Sequence, residues 1–570
     1  MRLTAGILAL FGAALLCLAV VPGLSGIAEG SSVRFSILFD LGDGTYAWAD
    51  ETVADAQAVN ATWNAVQHAA SSNGIALSAR WTQYGAGISD MGDRHPPAGL
   101  VGIFQWNTSS RAWELVQVGI SSLVVRDGDV IALYDPAFTT TPPYALRTPV
   151  PTPEDRWPAT EFRNDLSNSG LAGSSAPNRI GVLWDRDTGK KEIGSTPAVA
   201  FGKVFVTTLG GLFALDAMTG APLWNNTNAR GFSSPAVYNN SLYVGTAAGT
   251  VIRLDATNGH AIWETRLLAS TSFSGITSSP KPAFDRVFIG TFNESGGDGE
   301  VVALWEGNGT IAWRHPTASI HLSSPAVVGD AVYVGVMGRY NTTSQVTFDP
   351  PYGVLALDAV SGHERWFVPT GGSVAASPAI LGPNVIAPAK DGKVYALNRT
   401  TGSISWQVAV DAGISSPAVS GDTAFVGGGA FGSPGRVVAL SGASGSVKWS
   451  FTPNGPVQSS LTLASGHLVF STNTADGTVY SLNATTGTQE WTFEPTPAEY
   501  ILGSPAVADG VVYAPSDNGH VYALAQPPLE SAPFLDATGL MIVGGAIAAV
   551  AIAVVVGVFL ILRRRSRRVP

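Results

Sequence analysis

The sequence predicts an all-β fold: an eight-bladed β-propeller of four-stranded blades, preceded by a small α+β domain and followed by a single C-terminal transmembrane helix. Three observations lead there. The phrase "AKDGKVYALNRTTGSISW" (389–406) recurs in near-copies down most of the chain. Its openings are "STPAV" at 195, "SSPAV" at 233, "SSPKPAF" at 278, "SSPAV" at 323, "SPAI" at 377, "SSPAV" at 415, "SSLTL" at 459 and "SPAV" at 504, eight in all. From Pro197 to Pro505 the step averages about 44 residues, the period of a four-stranded unit in a radial array. A content of 65 Gly and 36 Pro among 570 residues, 45% of them apolar, fits many short strands and tight turns.

In chain order, residues 1–28 have the form of a secretory signal: Arg2, the apolar run "LTAGILALFGAALLCLAVV" and the small-residue exit "PGLSGIAEG". The run is long for a signal, so cleavage near Ala28 and retention as an anchor both stand. Cys17, the sole cysteine, follows Leu16 where a lipid-attachment cysteine would follow a small residue, and it reads as an ordinary hydrophobe. Disulfides and thiolate-bound metals are thereby excluded from the folded part.

Residues 31–135 stand outside the repeat. "VRFSILFDL" alternates like a strand, and "NATWNAVQHAASSNG" reads as a short helix with Trp63, Val66 and Ala70 on one face and Asn73-Gly74 as its stop. Strands around "LVGIFQW", "AWELVQV" and "DVIALYD" follow. A helix after an opening strand, with a late "RDGDVIAL", resembles the β-grasp-like domain at the C-terminus of transcobalamin-like proteins; no cobalamin contact is implied. A Pro-rich spacer (136–156) leads to the repeat region (157–525), and a second linker (526–537) leaves it.

Thr538 to Leu562 carries no charge and would extend roughly 37 Å as a helix, enough to span hydrocarbon. "RRRSRR" opens the basic tail, 563–570, which such a span would hold in the cytoplasm. The expected location is therefore the plasma membrane, single-pass, with residues 29–536 outside. Nine N-x-[ST] sequons lie in that portion, at Asn60, Asn107, Asn225, Asn239, Asn293, Asn308, Asn341, Asn398 and Asn483, as candidates for glycosylation. The net charge of −10 includes the positive ends, so the middle is more acidic still and unsuited to phosphate backbones. Nucleic acid is excluded as a partner.

Within one repeat, "AVVGDAVYVGV" shows two strands split by Gly-Asp, and "KDGKVYAL" adds a third through a hairpin. Turns such as "DAMTG", "DATNG", "NRTTG" and "NATTG" then lead to a fourth strand centred on tryptophan; Asx and Thr bonding with a positive-φ Gly accounts for them. That tryptophan occurs as Trp184, Trp224, Trp263, Trp313, Trp366, Trp406, Trp449 and Trp491. The first precedes the first opening and the last opening has none after it, so the strand around Trp184 is expected to complete the sheet of residues 504–524. Such a join removes an exposed edge.

"GKVYALNRTTGSISW", with the lead-in "WPATEFRNDLSNSG", resembles the PQQ-like propeller superfamily, which includes quinoprotein alcohol dehydrogenases and non-enzymatic outer-membrane assembly lipoproteins. The resemblance implies that the eight tryptophans are structural, packed between blades. It also implies what a dehydrogenase would need: a quinone held between a tryptophan and adjacent, disulfide-linked cysteines, calcium on carboxylate and amide oxygens, and an Asp base. No cysteine follows residue 17, so that clamp is impossible here. PQQ, calcium or any other cofactor is not expected, although relatives without the clamp keep a cofactor site conceivable.

No catalytic motif stands out. The eight histidines form no H-E-x-x-H, and "GGGAFG" (427–432) matches G-x-G-x-x-G but is followed by the strand "RVVAL" where a dinucleotide site has a helix. Asp298-Gly299, Asp391-Gly392 and Asp476-Gly477 read as hairpin turns ahead of calcium loops. No metal ligand set is predicted.

Successive strands reverse direction, so the loops between strands two and three and the links from one blade to the next emerge on one side. The longest insertions belong to these classes: 267–275, 291–300, 336–353 and 427–435. Candidate binding residues on that elaborated face are Phe273, His321, Arg339, Tyr340, Asp349, Tyr352 and Phe431, with drift in tolerant loops as the competing reading. Ser and Thr ahead of the openings are placed to ring the channel. The expected function is a membrane-anchored extracellular scaffold binding a protein, glycan or envelope component; a quinone-dependent oxidoreductase and a structural envelope spacer are the alternatives.

Overall fold

A computed structural model describes residues 33–40, 46–92, 101–107, 112–126, 129–134, 159–189, 193–268, 275–345 and 347–527. The chain divides into two compact units, one ending at Pro158 and one starting at Ala159.

In the first unit the strands are β1 (Val33–Asp40), β2 (Tyr46–Val53), β3 (Leu77–Thr82), β4 (Gly85–Met91), β5 (Gly102–Asn107), β6 (Ala112–Leu115) and β7 (Val130–Tyr134), with helix α1 at Ala61–Ser72. The main sheet runs β2-β1-β7-β5-β6, with β1 and β7 parallel; β3 and β4 form a separate hairpin. Strand alternation sends Phe35, Ile37 and Phe39 to one face, where Trp63, Val66, Ala69 and Ala70 of α1 cover them. Asn73 Nδ2 donates to Ala69 O at 2.9 Å and Gly74 takes a φ of 69°, which ends the helix.

The second unit opens with β8 (Gly181–Asp187) and continues through eight four-stranded blades. Blade 1 comprises Ala198–Ala200, Lys203–Thr208, Gly211–Asp216 and Pro222–Asn226, running from the channel outward. Blades 2 to 7 occupy 236–266, 281–318, 326–369, 379–412, 418–451 and 462–493; blades 5 and 6 touch through one extra pair, Ala412 with Gly428. Blade 8 holds Ala506–Ala508, Val511–Pro515 and His520–Ala525, and β8 supplies its outer strand, with Trp184 opposite Ala523. Each innermost strand lies beside the next, and that of blade 8 lies beside that of blade 1, so the ring is shut.

What holds neighbouring blades is a repeated clasp between a tryptophan and the turn of the following blade. Indole Nε1 donates to a turn carbonyl in six cases, Trp184 to Ala217 (2.9 Å), Trp263 to Glu306 (2.9 Å), Trp313 to Ala359 (3.1 Å), Trp366 to Arg399 (3.1 Å), Trp406 to Gly442 (2.9 Å) and Trp449 to Ala484 (3.0 Å), and Trp491 donates to Pro177 O (2.7 Å). Pro177 stands in for the turn that blade 8 lacks, because its third and fourth strands come from opposite ends of the unit. Trp224 Nε1 is buried without a partner. The turn glycine seals the contact: a Cβ on Gly220, Gly259, Gly309, Gly362, Gly402, Gly445 or Gly487 would meet the preceding indole at 2.4 to 3.0 Å. Positive φ accounts for only half of that glycine's use. Behind several of the indoles an aromatic of the same blade tilts against the ring, as Phe205, Tyr243, Phe288, Tyr333 and Phe425 do at 5.8 to 6.0 Å.

The lead-in closes the channel, which the sequence did not reveal. An innermost strand leaves one edge unpaired, and residues 159–174 run past these edges in turn. Ala159 pairs with Val199, and the N–H groups of Val237, Val327, Ile380, Val419 and Leu463 donate to the carbonyls of Thr160, Leu166, Ser167, Ser169 and Gly170 at 2.6 to 3.0 Å. Blade 3 breaks the rule instructively. Its opening "SSPKPAF" puts Pro282, which has no N–H, where other blades have the donor, and Lys281 Nζ donates instead to Phe162 O (3.0 Å) and Asp165 O (2.8 Å). Lys281 also pairs with Glu161 at 3.2 Å, although burial still pushes that carboxyl above its ordinary pKa. The Arg163 guanidinium donates to Leu461 O and Pro417 O, tying the segment across blades 6 and 7.

One expectation is corrected. Among the described residues no helix is long and apolar enough to cross a membrane, which overturns the single C-terminal transmembrane helix and the single-pass plasma-membrane location drawn from it. The α-helix of the described residues, α1, has 12 residues. The segment 538–562 lies outside the described residues, as do 1–28, 136–156 and 563–570.

Two measurements test this frame. Gly309→Ala should destabilise more than Gly329→Ala in denaturant unfolding: both have positive φ, but a Cβ at 309 meets Trp263 at 2.6 Å while 329 faces open space. The control should lose about 1 kcal/mol and the clasp variant about 1–3 kcal/mol more. Lys281→Met should cost about 3 kcal/mol or more by stranding Glu161, and adding Glu161→Gln should recover part of the loss.

Candidate binding face

The loops between strands two and three and the blade-to-blade links do meet on one side. In blade 4 the long insertion forms a hairpin, Arg339–Tyr340 against Phe348–Asp349, with Arg339 opposite Asp349 and Tyr340 opposite Phe348. It is fastened to the blade 3 loop: Tyr340 N–H donates to Gly297 O (2.8 Å), Ser319 Oγ donates to the same carbonyl (2.9 Å), and Arg339 pairs with Asp298 at 3.0 Å. Tyr352 OH donates to Phe348 O at 2.7 Å, Tyr340 OH to Gln345 O at 2.8 Å, and Asp349 accepts from Asn341 Nδ2 at 3.0 Å. The insertion is thus a built element.

Beneath it lies an aromatic cluster. Phe292 sits 4.8 Å from His321, 5.2 Å from Tyr340 and 5.8 Å from Phe348, and Phe348 stacks on His321 at 6.2 Å. Of the residues singled out by sequence, His321, Arg339, Tyr340, Asp349 and Tyr352 therefore share one place. Phe431 is elsewhere on the face, 66% exposed and stacked on Tyr500 at 5.7 Å. Phe273 lies outside the described residues. Sequence reasoning missed Phe292, Phe348 and Tyr500, although the first two are aromatics inside insertions already marked by their length.

His321 also lines a cup of about 360 Å³ on the propeller axis. Phe162 of the lead-in, Phe232, Ile414, Leu322 and Leu502 supply apolar wall, and Thr196, Ser234, Ser279, Ser416, Ser460 and Ser504 supply hydroxyls. The hydroxyls tie blade to blade: backbone N–H groups of Thr196, Ser234 and Ser460 donate to the Oγ of Ser234, Ser279 and Ser504 at 2.8 to 3.1 Å. His321 Nδ1 is buried and has no partner. Burial, helped by the charge of Lys390, pushes the imidazole down to about 4, so it is neutral at pH 7.

The candidate sequons are largely explained by turns. Asn293, Asn308, Asn341, Asn398 and Asn483 each accept, through Oδ1, the N–H two residues on at 3.0 to 3.1 Å. Asn60 and Asn239 occupy positive φ, Asn107 Nδ2 donates to Glu114, and Asn225 lies in an outer strand. A turn of this kind selects Asn-x-Thr for its own geometry. Asp391 likewise accepts from Lys393 N–H (3.1 Å) and Tyr395 OH (2.6 Å), the bonding of a hairpin turn.

These features define a β-propeller of PQQ-like repeats. The chain belongs to the PQQ_2 family, described as outer membrane protein assembly factor BamB, which matches residues 176–342, 297–430 and 390–526. It is similar to the outer membrane protein assembly factor BamB of Shewanella oneidensis, 26% identical over 286 residues, 47% of this chain and 67% of that one. It is also similar to the alcohol dehydrogenase (quinone) dehydrogenase subunit of Gluconacetobacter polyoxogenes, 30% identical over 173 residues, but the match spans only 26% of this chain and 23% of that one. Among solved structures, the quinohemoprotein alcohol dehydrogenase ADHIIG of Pseudomonas putida superposes with a TM-score of 0.54 at 14% identity, over 66% of this chain and 82% of that one. Likeness at that identity establishes the fold.

The dehydrogenase relatives raise the question of an anionic quinone held with a divalent cation. The cup does not fit that group. Its lining holds no carboxylate, no lysine or arginine, no cysteine and no tryptophan. Among the described residues, no three His, Cys, Asp or Glu side chains are grouped to hold a metal.

The buried imidazole has a measurable consequence. The folded-state pKa of His321 lies below its unfolded value of 6.5, so the unfolded chain takes up the proton first. Stability from this group is complete above pH 6.5 and declines as pH falls toward about 4. Urea midpoints at pH 7 and pH 5 should differ less in His321→Phe than in the unaltered chain.

Proposed function

We propose that the protein is a binding module that performs no reaction of its own and docks a protein partner on the elaborated face. The observation that carries this reading is the 339–349 hairpin, fastened to the neighbouring blade and backed by the Phe292, His321 and Phe348 rings. Rigid, amphipathic aromatics on an ordered scaffold give contact area at low entropic cost, which is what dominates protein interfaces. The similarity to proteins described as assembly factors supports the same reading.

A photo-crosslinking residue at 341 should capture a defined protein in the native cells, whereas one at 258, in the turn at the opposite end of the strands, should not. Tyr340→Ala with Phe348→Ala should reduce capture about tenfold or more, in line with losing interface anchors, with circular dichroism checking that the variant still folds. Equal capture from both positions would sink the reading. Dye reduction that appears on adding quinone and calcium, and vanishes in His321→Phe, would replace it with an oxidoreductase.

A further inference from the structure

The axial cup has the composition of a ligand site in its own right. Its depth is fixed by the lead-in, whose Phe162 reaches the lining while the segment's backbone is bonded to the surrounding blades. Its hydroxyls have spare capacity. Ser234, Ser279, Ser416 and Ser504 each accept a backbone N–H from a neighbouring blade, and none donates to a protein acceptor among the described residues. A serine hydroxyl that accepts one bond still has a proton to give. Four such donors converge from different sides of the axis, and His321 Nδ1 adds a polar atom buried without a partner. An unpaired buried polar atom in a native fold calls for an explanation, and a missing ligand is one that also explains the donors.

We propose that this cup binds a small uncharged molecule with an apolar body and several oxygen acceptors. Charge is disfavoured by the lining: taking an ion into an apolar pocket without a counter-charge costs several kcal/mol, and no ionised side chain lines this one. Oxygen acceptors match the ring of donors. An apolar body matches Phe232, Leu322, Ile414 and Leu502. The volume of about 360 Å³ falls at the small end of the range for small-molecule sites. Because His321 also packs against Phe292 and stacks on Phe348 under the hairpin, a molecule in the cup sits directly below the docking face. Binding is measured without any partner, so its failure leaves the docking reading untouched.

The test uses the full chain and two probes of one shape, trimethoxybenzene and benzenetricarboxylate, followed by saturation-transfer NMR and titration. The neutral probe should show saturation transfer and the anionic one should show none. Ile414→Trp, which fills the cup, should abolish the signal, with far-UV circular dichroism checking that the variant is folded. His321→Phe keeps the ring shape and should weaken binding about tenfold, the weight of one buried hydrogen bond. Absence of binding by the neutral probe, preference for the anion, or unchanged affinity in both variants would overturn the proposal.

Discussion

The clasp between an indole and the turn of the next blade is the interaction on which the propeller depends. Blades are sheets with apolar faces, and sheets stacked through branched side chains alone slide. A flat ring laid under a glycine, with its N–H fixed to a carbonyl of the same turn, sets both distance and register. The first and last blades show how strict the requirement is. Trp184 reaches forward to Ala217 from a strand that belongs, in sequence, before the ring begins. Trp491 finds Pro177 because no turn exists where one would be needed.

Closing the ring creates a second problem, since every inner strand ends at a channel with its edge unpaired. The lead-in answers it by running past the edges in turn, and the Lys281 and Pro282 pair shows the constraint at work. Where the backbone donor is lost, a buried side chain bonds other carbonyls of the same segment. With one end stopped in this way, the axis becomes a cup that opens toward the long loops. The chemistry of that cup follows from the repeat: small hydroxyl residues are required where blades converge, so the lining is neutral and rich in donors.

Much of this was legible beforehand. The period of the openings, the eight tryptophans and the displaced first indole foretold the number of sheets and the way the last is completed. Strand reversal foretold which loops share a face, and it brought His321, Arg339, Tyr340, Asp349 and Tyr352 to one place. Phe431 was grouped with them on loop length alone and belongs to a different contact. The transmembrane reading rested on composition, and the described residues contain no helix long and apolar enough to match it.

Local pattern settled the strands, turns and blade count, because those depend on residues a few positions apart and on a repeat that announces its own period. Contacts between distant positions were hidden. That a turn glycine is held under the indole of another blade, that "TEFRNDLSNSG" stops a channel, and that His321 lies half-buried and neutral beside two rings all depend on closing the ring first. Closure pairs residues as far apart in sequence as Gly181 and Ala525, and it bonds Gly510 to Ser174, 336 positions away. No periodicity along the chain encodes which of them will meet, since each contact is fixed by where the eight sheets converge.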